Sequence, residues 1–200
     1  IAALIAMSVA PVASYAGPAW EFETASQSFS NGSWNFANNF RILEEIEVTG
    51  LGYYADPVND SVDDNPVALY RSDGTLLAST IVTNAFPIFG HFRYVTIAPI
   101  LLTLGDYQIA GVSNSDNYTW NDVGFFTDPK IQYLGNTWES DSNGTADFLS
   151  FVQNDVNDGI WGPNLFIGPP TFTGVPEPAS LALLGIGLAG LGLTRRRRRA

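Results

Sequence analysis

Cysteine is absent from this chain of 200 residues, and methionine and histidine occur once each. Without cysteine there are no disulfides, no thiolate metal site and no cysteine nucleophile. With His91 as the sole histidine, a metal site built from several His or Cys ligands is excluded, and any Ser–His pair would have to use that residue. No Gly-x-Ser-x-Gly elbow is present. Charged residues make up 14%, against about 25% in an average soluble protein. Basic ones are scarcest: of nine, five are Arg195, Arg196, Arg197, Arg198 and Arg199, leaving Arg41, Arg71, Arg93 and Lys130 elsewhere. Residues 17–174 therefore set four basic side chains against nineteen acidic ones, a net −15. Such a surface repels phosphate backbones and anionic lipid, which argues against nucleic acid as a partner class. No segment of the body shows a long amphipathic helical period, and no repeat of fixed length is visible.

What the chain does have is short apolar runs separated by Gly, Asn, Asp and Pro. Phe40 to Thr49 alternates in part and continues into Leu51-Gly-Tyr-Tyr54. Val67–Tyr70 and Thr75–Val82 flank Asp73-Gly74, a hairpin signal. His91–Ile97 alternates well, Pro99 marks an edge or a turn, and Gly105-Asp106 marks the turn before Tyr107–Val112. Weaker runs follow to Ile167, and 120–130 has room for a short helix. The pattern predicts an all-β domain, an antiparallel β-sandwich of jelly-roll or immunoglobulin-like type, over 17–167, with a linker at 168–174.

The two ends read as addresses. Ile1 to Ala16 resembles the apolar part of a secretory signal peptide, cleaved after Ala16, with residues missing before Ile1. At the other end, Val175-Pro176-Glu177-Pro178 precedes an apolar run from Ala179 to Leu193, Thr194 and the five arginines. The run spans about 22 Å as a helix, short for a hydrocarbon core of about 30 Å. Snorkelling arginines extend its reach, so 179–194 is expected to be a transmembrane helix with Arg195–Arg199 as its cytoplasmic anchor. The glycines at 185, 187, 190 and 192 weaken that helix and favour close packing against another.

These three parts, in this order over 175–200, resemble the PEP-CTERM sorting signal. The resemblance implies secretion by a Gram-negative, biofilm-forming bacterium, transient anchoring in the inner membrane, and transfer to an exosortase, a membrane cysteine peptidase that removes the tail. Pro176, Glu177 and Pro178 are then recognition residues. Exopolysaccharide or outer-surface association is also implied. Residues 40–112 resemble an uncharacterised extracellular β-sandwich domain common in such proteins, through Leu51-Gly-Tyr-Tyr54, the Val67–Ala78 hairpin and Leu104-Gly-Asp-Tyr107. That resemblance implies a fold and no chemistry.

Within the body, no catalytic residues are expected, and the expected role is structural or adhesive. His91 is read as a solvated or hydrogen-bonded strand residue. Glu44, Glu45 and Glu47 are read as the solvent face of a strand. The alternative is a carbohydrate- or calcium-binding module. Hard cations take several oxygen ligands from short loops, which makes Asp56, Asp60, Asp63 and Asp64 one candidate calcium set and Asp141, Asn143 and Asp147 another. Solvated turns explain the same composition. No other cofactor is expected. Trp120 and Trp138 sit in polar loops where indoles stack on sugar rings; capping the core is the competing role. An acidic body favours a neutral extracellular polysaccharide as partner.

Overall fold

The computed structural model describes residues 16–25, 31–55, 64–115, 118–120, 123–141, 143–151 and 160–169. The predicted segments 1–15 and 171–200, with the transmembrane helix at 179–194, lie outside the described residues. So do the candidate ligands Asp56, Asp60 and Asp63. Among the described residues no helix is long and apolar enough to cross a membrane.

Among the described residues, fourteen strands follow in order: β1 (Gly17–Pro18), β2 (Trp20–Glu21), β3 (Trp34–Ile42), β4 (Ile46–Tyr54), β5 (Asn65–Arg71), β6 (Leu76–Val82), β7 (Ile88–Phe89), β8 (Phe92–Leu102), β9 (Gly105–Val112), β10 (Thr119–Trp120), β11 (Phe126–Thr127), β12 (Ile131–Ser140), β13 (Ile160–Trp161) and β14 (Pro163–Ile167). They form antiparallel sheets of order β1-β14-β4-β8-β7 and β12-β3-β9-β5-β6, with two small ribbons, β10-β13 and β11-β2. Numbered along the chain, the eight strands β1, β3, β4, β5, β6, β8, β9 and β14 stand in orders 1-8-3-6 and 2-7-4-5. That is the jelly-roll arrangement, two interleaved Greek keys, with β12 and β7 added at edges. The region 123–130 holds a turn and β11 and no helix.

The hairpin at Asp73-Gly74 forms where the sequence places it. Gly74 takes φ +87°, a left-handed value that favours glycine, and the Asp73 carboxylate accepts the Thr75 amide at 2.9 Å. Phe40–Tyr54, read as one nearly continuous strand, is instead two. Leu43 to Glu45 turn the chain between β3 and β4, so Glu44 and Glu45 are turn residues and only Glu47 points outward from a strand. Pro99 lies inside β8, within the register shift between Val48↔Ile100 and Gly50↔Thr96. There β8 has lost β7, which pairs only at Arg93 and Phe92, so the missing amide breaks no ladder on that side.

The sheets stack with β14 over β9 and β4 over β5 and β6. Gly111 sets their separation: a Cβ there would lie 3.0 Å from the Pro163 ring and 3.2 Å from Tyr53. Trp20 is fully buried and meets Phe40 edge-on at 5.8 Å. Leu51, Leu69, Ile109 and Leu165 are likewise fully buried, each contributing about 1.5–3 kcal/mol by leaving water. A second aromatic cluster joins Phe22, Tyr54, Phe92, Tyr94 and Phe166. Within it, Tyr94 lies so close over β4 that a Cβ at Gly52 would come within 2.4 Å of its ring.

The second sheet is covered on its outer side. Ala37, Ala110 and Ala68 pair across β3, β9 and β5, a row of small side chains. Residues 143–151 lie against this row as a strap without regular structure, inserting Ala146 and Leu149. Polar side chains of the sheet hold its backbone. Gln108 accepts the Leu149 amide at 2.8 Å and donates to the Leu149 carbonyl at 3.1 Å. Asn35 donates to the Asp147 carbonyl at 3.1 Å, and the Tyr70 hydroxyl to that of Ala146 at 2.6 Å.

Candidate functional site

His91 stands in the turn just before β8, where its Nδ1 lies 2.7 Å from Glu21 Oε1. The other oxygen of Glu21 accepts the His91 amide at 3.1 Å, and the imidazole stacks on Phe22 at 4.3 Å. The histidine thus fastens β2 to the β7–β8 turn: it is hydrogen-bonded as expected, but it is a turn residue and not a strand residue.

The Asp141 loop closes on itself. Asp141 Oδ1 accepts the Gly144 amide at 2.9 Å and its Oδ2 accepts the Ser33 hydroxyl at 2.9 Å. Asp147 Oδ2 accepts the Asn143 side-chain amide at 2.7 Å, and its Oδ1 accepts the Thr145 hydroxyl at 2.8 Å. All four carboxylate oxygens therefore face protein donors, three from the loop itself and one from Ser33, and Asn143 turns an N–H toward Asp147. A cation here would have to displace those bonds. The Asp64 carbonyl accepts the Asn114 side chain at 2.8 Å. Among the described residues, no three Asp, Glu or His side chains are grouped as a metal site would need.

Trp138 and Trp120 both reach the surface, 55% and 41% exposed. Trp138 opposes Phe36 across the β12–β3 register and meets Trp34 edge-on, 5.3 Å between rings at 85°. Trp34 is half-buried and donates its indole N–H to Asn31 Oδ1 at 2.9 Å. The same oxygen accepts the Tyr118 hydroxyl at 3.1 Å, and the Tyr118 ring lies 4.6 Å from Phe36. Tyr118 leads into β10, which carries Trp120. The structure thus adds Trp34 and Tyr118 to the two tryptophans legible in the sequence. Trp34, two residues before the buried Phe36 on one strand face, was the available signal.

Two concavities border the sheets. A groove of about 350 Å³ runs between the strap and the β5–β6 hairpin, past Tyr70, Leu76 and Ile81. A smaller one of about 170 Å³ lies where β14 ends, lined by Glu45, Glu47, Asp128, Lys130 and Gly168. There the Gly168 amide donates to the Glu47 carbonyl at 2.8 Å and the Gly168 carbonyl accepts the Thr49 hydroxyl at 2.7 Å. These bonds fix the chain as far as Gly168.

No curated protein matches this chain. Residues 174–199 match the family model of the PEP-CTERM protein-sorting motif. The match takes in Pro176, Glu177, Pro178 and Arg195 to Arg199. The chain therefore carries a PEP-CTERM protein-sorting motif behind an all-β body, and that motif implies export and processing by an exosortase.

Proposed function

We propose that this is a secreted surface or exopolysaccharide-matrix protein of a Gram-negative bacterium, structural or adhesive in role and without catalytic activity. It is anchored in the inner membrane through 179–194 until an exosortase removes the tail. The sorting motif at 174–199 carries this reading. The signal-like segment 1–16 and the low charge content support it. Mass spectrometry of the mature protein tests it. A product starting at Gly17 and ending between Val175 and Pro178 is expected. A membrane-bound product retaining Arg195–Arg199 would refute tail removal.

A second reading, a glycan-binding module, is favoured by the exposed Trp138 set against Trp34. Its ligand would be a neutral polysaccharide, since the acidic body repels anionic ones unless calcium bridges the two. Retention on immobilised extracellular glycans, with and without calcium, tests it. Retention on none of them refutes it.

A further inference from the structure

Both address segments leave the sandwich at one end. Gly17, the first residue after the signal-like stretch, pairs directly with Ile167, the last residue of β14. Ile167 in turn pairs with Val48, near the start of β4. The β3–β4 turn, the β8–β9 turn and the Asp128–Lys130 turn lie at this same end. Ile42 pairs with both Gly105 and Ile131, Ile46 pairs with Leu102, and the Leu43 amide donates to the Lys130 carbonyl.

The end is apolar where a free loop end would be polar. Leu43, Leu101 and Leu104 are 45%, 60% and 67% exposed. Extending the Ile42↔Gly105 register sets Leu43 beside Leu104. Around them stand Glu44, Glu45, Glu47 and Asp128, with Lys130 among them.

Chain length limits how far the tail motif can stand from the body. From Pro169, the last described residue, seven residue steps reach Pro176 and ten reach Ala179. At about 3.5 Å per step the chain spans at most about 25 Å and about 35 Å, whatever its conformation. The motif can therefore stand no farther from Pro169 than this span while it is processed. The acidic rim of the leucine-bearing end disfavours anionic lipid and favours a basic protein surface.

We propose that this end, with Leu43, Leu101 and Leu104 at its centre and Glu44, Glu45 and Glu47 at its rim, docks on the extracytoplasmic surface of the sorting peptidase while the tail is processed. The complementary surface is apolar with basic groups around it. The proposal rests on exosortase processing of the tail.

The test uses the full chain in its exosortase-bearing host, following the precursor by pulse-chase. Replacing Leu101→Asp and Leu104→Asp together should lengthen the precursor half-life about tenfold, the effect of losing roughly 1.4 kcal/mol of contact. The melting temperature should stay unchanged, because both side chains are exposed. The control Ile81→Asp, on β6 and 52% exposed, should be processed at the normal rate. Inserting twenty Gly/Ser residues after Pro170 lowers the effective concentration of the docked face. In that longer chain the leucine substitutions should make no difference. Because the protein has no cysteine, Leu104→Cys gives a single thiol for a photo-crosslinker, expected to capture the peptidase. Wild-type processing of the double variant, a defect that persists with the spacer, or crosslinks to lipid alone would each overturn the proposal. Failure of the exosortase reading looks different: the unsubstituted chain would keep its tail, as would Glu177→Ala.

Discussion

Replacing Gln108 by alanine should loosen the strap and expose how much the body depends on it. The Gln108 side chain is fully buried and bonds Asn39 Oδ1 at 2.8 Å, the Leu149 carbonyl at 3.1 Å and the Leu149 amide at 2.8 Å. Alanine removes all three bonds and leaves both backbone groups of Leu149 facing the Ala37–Ala110–Ala68 row. Each lost bond costs about 1 kcal/mol where water can replace it, and about 1–3 kcal/mol where it cannot. Leu149 is 6% exposed, so replacement is partial, and the sum is about 3–4 kcal/mol. For a protein of this size that is a fall in Tm of about 10 °C. Calorimetry reads the fall, and amide exchange shows where it arises. The Leu149 amide should exchange with the fast class, while the amides of β4 and β9 stay slow. A Tm lowered by less than about 2 °C, with Leu149 still protected, would mean that side chain–backbone bonds do not hold the strap.

Gly52→Ala should be among the most damaging small substitutions. Its Cβ would fall 2.4 Å from the Tyr94 ring and 2.7 Å from the Arg93 carbonyl, so overpacking should cost about 3 kcal/mol, read as lost Tm or lost soluble yield. Burial first, and the Asp147 carboxylate second, push the Tyr70 phenol above its usual 10.0. The folded state then holds that proton more tightly, so the stability involved is intact below pH 10 and is lost as pH rises beyond it. Tyr70→Phe should flatten this alkaline slope in denaturant titrations at pH 9 to 11, while losing the Ala146 bond, about 1 kcal/mol, at pH 7. Trp138→Ala should leave Tm within about 2 °C, the side chain being mostly exposed, and should abolish any glycan retention that the wild type shows.

What the sequence disclosed was local. Asp73-Gly74 specifies its hairpin because the left-handed glycine and the aspartate cap act within four residues. The tail motif is likewise contiguous. The strand β3 escaped notice because Asn35, Asn38 and Asn39 resemble a loop. All three are buried, Asn35 holding the strap and Asn38 accepting the Tyr133 hydroxyl at 3.2 Å. Those partners lie 112 and 95 residues away, which no local pattern reveals. The Trp34–Trp138 pair needs the β12–β3 register for the same reason. Asp141, Asn143 and Asp147 read first as turn residues and second as ligands, since one carboxylate oxygen serves a cation or an amide. Only the hydrogen bonds show which donors those oxygens take here.

The pairing of Gly17 with Ile167 makes the body a cassette. Directly opposed residues in an antiparallel ladder stand about 5 Å apart, so a few residues could join the two ends. New termini could then be opened in the Thr83–Ala85 loop, which follows β6 at the opposite end of the sheet. Such a circular permutant would keep every strand neighbour while moving both chain ends to the far end of the sandwich. The same geometry would let the body be spliced into a surface loop of another exported protein without prising that loop apart.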